Sequence, residues 1–136
     1  MSDTSSEETD ELIYQAVIYK NIDLLQELLK VYPGRVHYTD NHGRTALHIA
    51  ARNGSVDAVR CLIEAGANVN SMASASALCE RPLHVAAIVG NTEIVELLIN
   101  AGAELLATDL NDHCALELAQ MTNHFQTACV LIDAIG

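Results

Sequence analysis

Arg44–Asn70 reads RTALHIAARNGSVDAVRCLIEAGANVN, and Arg81–Glu104 reads RPLHVAAIVGNTEIVELLINAGAE. Laid over one another, Leu47-His48-x-Ala50-Ala51 falls on Leu83-His84-x-Ala86-Ala87, Gly54 on Gly90, Leu62-Ile63 on Leu98-Ile99 and Gly66-Ala67 on Gly102-Ala103. Every one of these offsets is 36 residues. A weaker copy follows 33 residues later, with Ala115-Leu116-Glu117-Leu118-Ala119 on Pro82-Leu83-His84-Val85-Ala86 and Val130-Leu131-Ile132 on Leu97-Leu98-Ile99. Upstream, Ile13–Leu29 aligns at an offset of 34, with Ala16 on Ala50, Asp23 on Asp57 and Leu28-Leu29 on Leu62-Ile63. Self-similarity at such a period is the mark of a repeat array.

Each copy predicts two short helices. Thr45 supplies an N-cap, and Leu47, Ala50 and Ala51 recur at helical spacing. Gly54 ends the first helix, because a residue without Cβ takes a positive φ at no steric cost. Ser55 caps a second helix, Asp57 sits at its positive end, and Val59, Leu62 and Ile63 form its apolar stripe before Gly66 closes it. In the next copy Asn91 and Glu93 take the roles of Ser55 and Asp57. Two helices this short cannot bury their own apolar faces, whereas stacked neighbours can, at roughly 1.5–3 kcal/mol for each buried Leu or Ile.

These residues resemble a known family. Thr45-Ala46-Leu47-His48-Ile49-Ala50-Ala51 and Arg81-Pro82-Leu83-His84-Val85-Ala86-Ala87 are similar to the Thr-Pro-Leu-His-x-Ala-Ala signature of ankyrin repeats, and Gly66-Ala67-Asn68-Val69-Asn70 to the entry of their hairpin. The resemblance covers residues 12–136, strong in the two middle copies and degraded in the flanking ones. It implies an all-α solenoid of helix-turn-helix units with projecting β-hairpin-like loops. The expected organisation is an acidic, disordered leader over 1–11 and an ankyrin-repeat domain over 12–136, with units 12–39, 40–72, 73–108 and 109–136. Departures from the pattern mark the flanks: Lys20 replaces the break glycine of the first unit, and Cys114, Glu117 and Asn123 replace the Thr, His and Gly of the last. Three extra residues between Ser71 and Glu80 lengthen one loop.

Composition limits what such an array does. Half the chain's 136 residues are apolar and 4% aromatic, and seven Lys+Arg against eighteen Asp+Glu give a net charge of −11. That balance argues against binding nucleic acid or anionic lipid. The longest apolar runs are about five residues, far below the roughly 20 needed to span a bilayer. The polar, acidic start lacks the basic and apolar regions of a secretory signal, so a cytoplasmic or nuclear protein is expected. Cys61, Cys79, Cys114 and Cys129 form no Cys-x-x-Cys pair, which favours reduced thiols over a disulfide or zinc framework.

No cofactor, metal or catalytic residue is expected. The chain has no Gly-rich phosphate loop, no Gly-x-Ser-x-Gly and no His-Glu-x-x-His. In the family resembled, the imidazole at the position of His48 and His84 bonds the neighbouring hairpin, so both read as structural. The same resemblance places recognition on a concave face made of loop tips and the exposed edges of first helices. The tip candidates are Asn41, His42, Arg44, Leu78, Glu80, Leu110, Asn111 and His113. The edge candidates are Tyr19, Arg52, Asn53, Ile88, Val89 and Met121. Arg44, Arg52 and His42 form a basic spot flanked by apolar side chains, which suggests a protein or peptide partner with apolar anchors and an acidic group. Such a module acts as an adaptor or inhibitor, alone or within a larger multidomain chain. The alternative is a structural module that homodimerises through the apolar strip. The acids around Ser5 and Ser6 resemble the targets of acidophilic kinases.

Overall fold

The computed structural model describes residues 3–136, with side chains described from Glu8 onward. Eight α-helices follow one another: α1 (Asp3–Ile18), α2 (Ile22–Val31), α3 (Ala46–Asn53), α4 (Val56–Glu64), α5 (Pro82–Val89), α6 (Thr92–Asn100), α7 (Ala115–Met121) and α8 (Phe125–Ile135). They form four antiparallel pairs. The odd-numbered helices pack in sequence as one layer, α1 on α3 on α5 on α7, and the even-numbered ones as a second layer, α2 on α4 on α6 on α8. Among the described residues there is no strand. The projecting loops are fingers, each closed at its base by one backbone hydrogen bond rather than by a ladder.

One apolar wall runs between the layers. Val17, Leu25, Ala50, Ala51, Val59, Leu62, Ala86, Ala87, Leu98 and Leu131 are all fully or almost fully buried. The alanine pairs lie where α3 meets α5 and α5 meets α7, so small side chains set how closely the inner helices approach. Gly90 ends α5 in the left-handed region at φ +82, and a Cβ there would stand 2.2 Å from the His124 ring of the next unit. The same break is made without glycine at Lys20 (φ 58) and Asn123 (φ 64), where the flanking units carry the strain of a side chain. Asn21 and Asn91 cap α2 and α6, accepting from the N–H of Leu24 and Ile94. Ser55, expected to do the same for α4, is buried and makes no side-chain cap bond.

The start of the chain departs from the expected disordered leader. Helix α1 extends back to Asp3. Thr9 and Asp10 are buried, and Asp10 is gripped through both carboxylate oxygens by the Arg35 guanidinium. Burying a carboxylate is tolerable only with such pairing. Arg35 also lies 5.6 Å from the centre of the Tyr38 ring. Met1 and Ser2, and the side chains of Ser5 and Ser6, lie outside the described residues.

Candidate functional site

The fingers share one construction. In the first, the Asp40 N–H donates to the Arg44 carbonyl, and Asp40 Oδ1 accepts from the N–H of His42 and Arg44. In the third, Asp109 N–H donates to the His113 carbonyl, and Asp109 Oδ1 accepts from the N–H of Asn111 and His113. The second finger keeps the closing bond, from Ala73 N–H to the Glu80 carbonyl, but replaces the aspartate with Ala73. Its longer tip is held by a 3₁₀ turn over Ala75–Ala77 and by left-handed backbone at Leu78 and Cys79. Neighbouring fingers are tied together: Ser74 N–H and Oγ donate to the His42 carbonyl, Ser76 Oγ lies 3.0 Å from His42 Nδ1, and Leu110 N–H donates to the Leu78 carbonyl.

Beneath the fingers, the inner helices hold them by side chains at one equivalent position. His48 Nδ1 accepts from the Thr45 N–H at 3.1 Å, and its Nε2 donates to the Glu80 carbonyl at 3.0 Å. His84 accepts from the Arg81 N–H at 2.9 Å and donates to the Ala107 carbonyl at 2.8 Å. Burial pushes both rings below the ordinary histidine pKa, which fixes the neutral form that can donate on one side and accept on the other. Tyr14 stands at this position in the first unit and donates its hydroxyl to the Arg44 carbonyl at 3.0 Å. Burial raises its phenol pKa, so the donor proton is kept. Glu117, in the last unit, accepts from the Cys114 N–H, and that bond holds its carboxyl below the usual range. The structural roles expected for His48 and His84 are therefore those observed.

Four of the candidate residues meet at one place. Arg52, Glu80, Ile88 and Val89, with Val85, line a recess of about 140 Å³ between α3, α5 and the foot of the second finger. All eight residues of α5 are apolar or His; the first six are buried, but Ile88 and Val89 are 39% and 40% exposed. The recess corrects the expected basic spot. Glu80 is buried, not a tip residue, and its Oε1 lies 3.1 Å from Arg52 Nη2 and 3.7 Å from Arg44 Nε. Arg44 itself is only partly exposed. Two guanidiniums of this chain thus share one of its own buried carboxylates. His42 stands apart from this cluster, bonded to the second finger.

The other candidates are spread along the same layer. Leu78 and Leu110 meet through the backbone and are 46% and 54% exposed. Asn41, Asn53 and Asn111 are exposed and His113 is half-buried. Tyr19 and Met121, at or beyond the ends of α1 and α7, are the most exposed of the apolar candidates. Asn41 also lines a polar recess of about 330 Å³ with Asp10, Glu11, Tyr14, Tyr38 and Asp40. Sequence reading missed two linking residues. Asn70 donates to the Gly102 carbonyl and accepts from the Glu104 N–H, and Arg81 donates to the Asn70 carbonyl.

Among the described residues, no group of three His, Cys, Asp or Glu side chains is placed to hold a metal ion, and all four cysteines are free. No described helix is long and apolar enough to cross a membrane.

A family model described as ankyrin repeats, in three copies, matches residues 2–73, and a model of the single ankyrin repeat matches residues 80–110. The chain is 39% identical over 62 residues, 46% of its length, to leucine-rich repeat serine/threonine-protein kinase 1 of Caenorhabditis elegans. It is 41% identical over 56 residues, 41% of its length, to Rabankyrin-5 of Mus musculus. A third match, 45% identical over 47 residues and 35% of the chain, is serine/threonine-protein kinase VIK of Arabidopsis thaliana. These matches span 3%, 5% and 11% of the relatives' own lengths.

Proposed function

Because this chain belongs to the ankyrin-repeat family, we propose that it is a non-catalytic module that holds a protein or peptide partner on its concave face. Repeats of this family serve generally in protein–protein interaction. The observation that carries the reading is the end of α5. Six consecutive residues are buried, then Ile88 and Val89 are turned half outward to wall a recess with Arg52 and Glu80. Branched apolar side chains kept at the surface beside an ion pair are the composition of an anchor pocket with a polar rim. The exposed Leu78, Leu110 and Met121 extend apolar surface along the same layer.

The test is to make Arg52→Glu and Ile88→Asp separately, then measure capture of interacting proteins and the melting temperature. Loss of capture by variants that still melt cooperatively supports the concave face. Equal capture by both folded variants defeats it. Tyr19, 78% exposed, and Met121, 60% exposed, also favour a second reading in which another copy of the chain covers the strip. Sedimentation at two concentrations separates a dimer from a monomer.

A further inference from the structure

We infer that the recess beside the second finger selects a peptide in which one apolar side chain, of Leu to Phe size, lies close to a single carboxylate. This deepens the concave-face reading and rests on it. The recess volume of about 140 Å³ is close to the roughly 150 Å³ of an apolar cavity that accepts benzene. Its floor and walls are Val85, Ile88 and Val89, so an apolar group is preferred to a polar one. The rim sets the rest. Two guanidiniums, Arg44 and Arg52, share one oxygen of one carboxylate, Glu80. Arg44 Nε is buried and makes no hydrogen bond.

Arg52 has the spare capacity. Its side chain is 52% exposed, and it gives one hydrogen bond, from Nη2 to Glu80. A guanidinium carries five N–H donors. Arg52 lines the recess, and a carboxylate next to the anchor makes charge-assisted bonds with its remaining donors. Asp40, at the base of the first finger, spends Oδ1 on the N–H of His42 and Arg44. A lysine or arginine beside the anchor meets an excess of positive charge instead. Several carboxylates are also disfavoured, because the chain as a whole carries −11.

A random peptide library displayed on phage is selected against the whole chain and against Arg52→Glu and Ile88→Asp. Val89→Asp replaces Ile88→Asp if the latter melts early. The wild-type chain is expected to enrich an apolar residue with Asp or Glu within a few positions on one side of it. A synthetic peptide of the enriched sequence should lose at least about tenfold in affinity on Arg52→Glu, the scale of one charge-assisted bond. Arg52→Glu should in turn enrich Lys or Arg at the acidic position. Peptides that depend on Ile88 but carry Lys, Arg or no charge overturn the inference and leave the concave-face reading standing. Peptides that bind all variants equally overturn both, and failure to enrich any peptide overturns the inference.

Discussion

The two middle units and the two flanking ones fill one position with different side chains, and the difference shows what that position does. His48 and His84 use both ring nitrogens, one for the start of their own helix and one for a carbonyl farther along the chain. That carbonyl belongs to Glu80, at the foot of the second finger, and to Ala107, two residues before the third. Tyr14 keeps only its outward hydroxyl bond, chiefly to the Arg44 carbonyl with the Tyr38 carbonyl at 3.4 Å, and Glu117 only the inward one, to the Cys114 N–H. A middle histidine therefore couples helix formation to stacking. Each flanking residue performs half of that work. In a linear array, stability is a sum of unit and interface terms, and the histidines contribute to both.

The largest break in this comparison should come from His48→Ala. It leaves the buried Thr45 N–H without its partner, takes from the Glu80 carbonyl one of its two donors, and opens a cavity. The expected loss is about 3 kcal/mol, read by urea unfolding. His84→Ala should cost a similar amount.

Acid offers the same contrast without mutation. Both histidines have folded pKa values below the unfolded value of about 6.5. Below that pH the unfolded chain binds protons that the folded chain refuses, so stability is complete above it and falls as pH drops toward the depressed folded values. Glu117 is also depressed, but from the carboxyl range, so its contribution is lost only below about pH 4.3. Loosening of the middle units should thus begin about two pH units before that of the last unit. Denaturation midpoints measured from pH 7 to 5 should fall for the wild type and flatten in His48→Gln/His84→Gln.

Tyr14→Phe removes a single outward bond and should cost about 1 kcal/mol in the same unfolding experiment. The smallest effect tests the helix breaks. Gly90 holds its left-handed turn freely, whereas Asn123 holds the same turn with a side chain. Asn123→Gly should therefore raise stability by about 0.5 kcal/mol, relief of strain being offset in part by the freer unfolded chain. Gly90→Ala should lower it, because the added Cβ meets His124.

Much of the architecture was legible because stacking forces the same residues to recur. The 36-residue register of Leu47-His48 and Leu83-His84 located α3 and α5, and Gly54 and Gly90 located their ends. Tyr14, too, aligns with His48 at the offset of 34. What local pattern could not show were pairings between distant residues. Asp10 reads as part of a solvated acidic leader until Arg35 arrives from 25 positions away to bury it. Glu80 reads as a loop tip, because the three-residue insertion hides where the finger closes. Its carboxylate then removes much of the positive charge credited to Arg44 and Arg52. The apolar half of the candidate surface, Ile88 and Val89, follows from the family resemblance, which puts the edges of the first helices on the concave face; the polar half depends on the fold.

The second finger is tied at its base by the same bond as its shorter neighbours, although it carries three more residues beyond the knot. Length at that tip is thus mechanically separated from the helices below, and loop closure grows only slowly more costly with added residues. The stretch from Ser74 to Cys79 is a natural splice point. Foreign sequence inserted there would project beside the recess while Ala73 and Glu80 keep the scaffold in register, giving a ready mount for altering what the array grips.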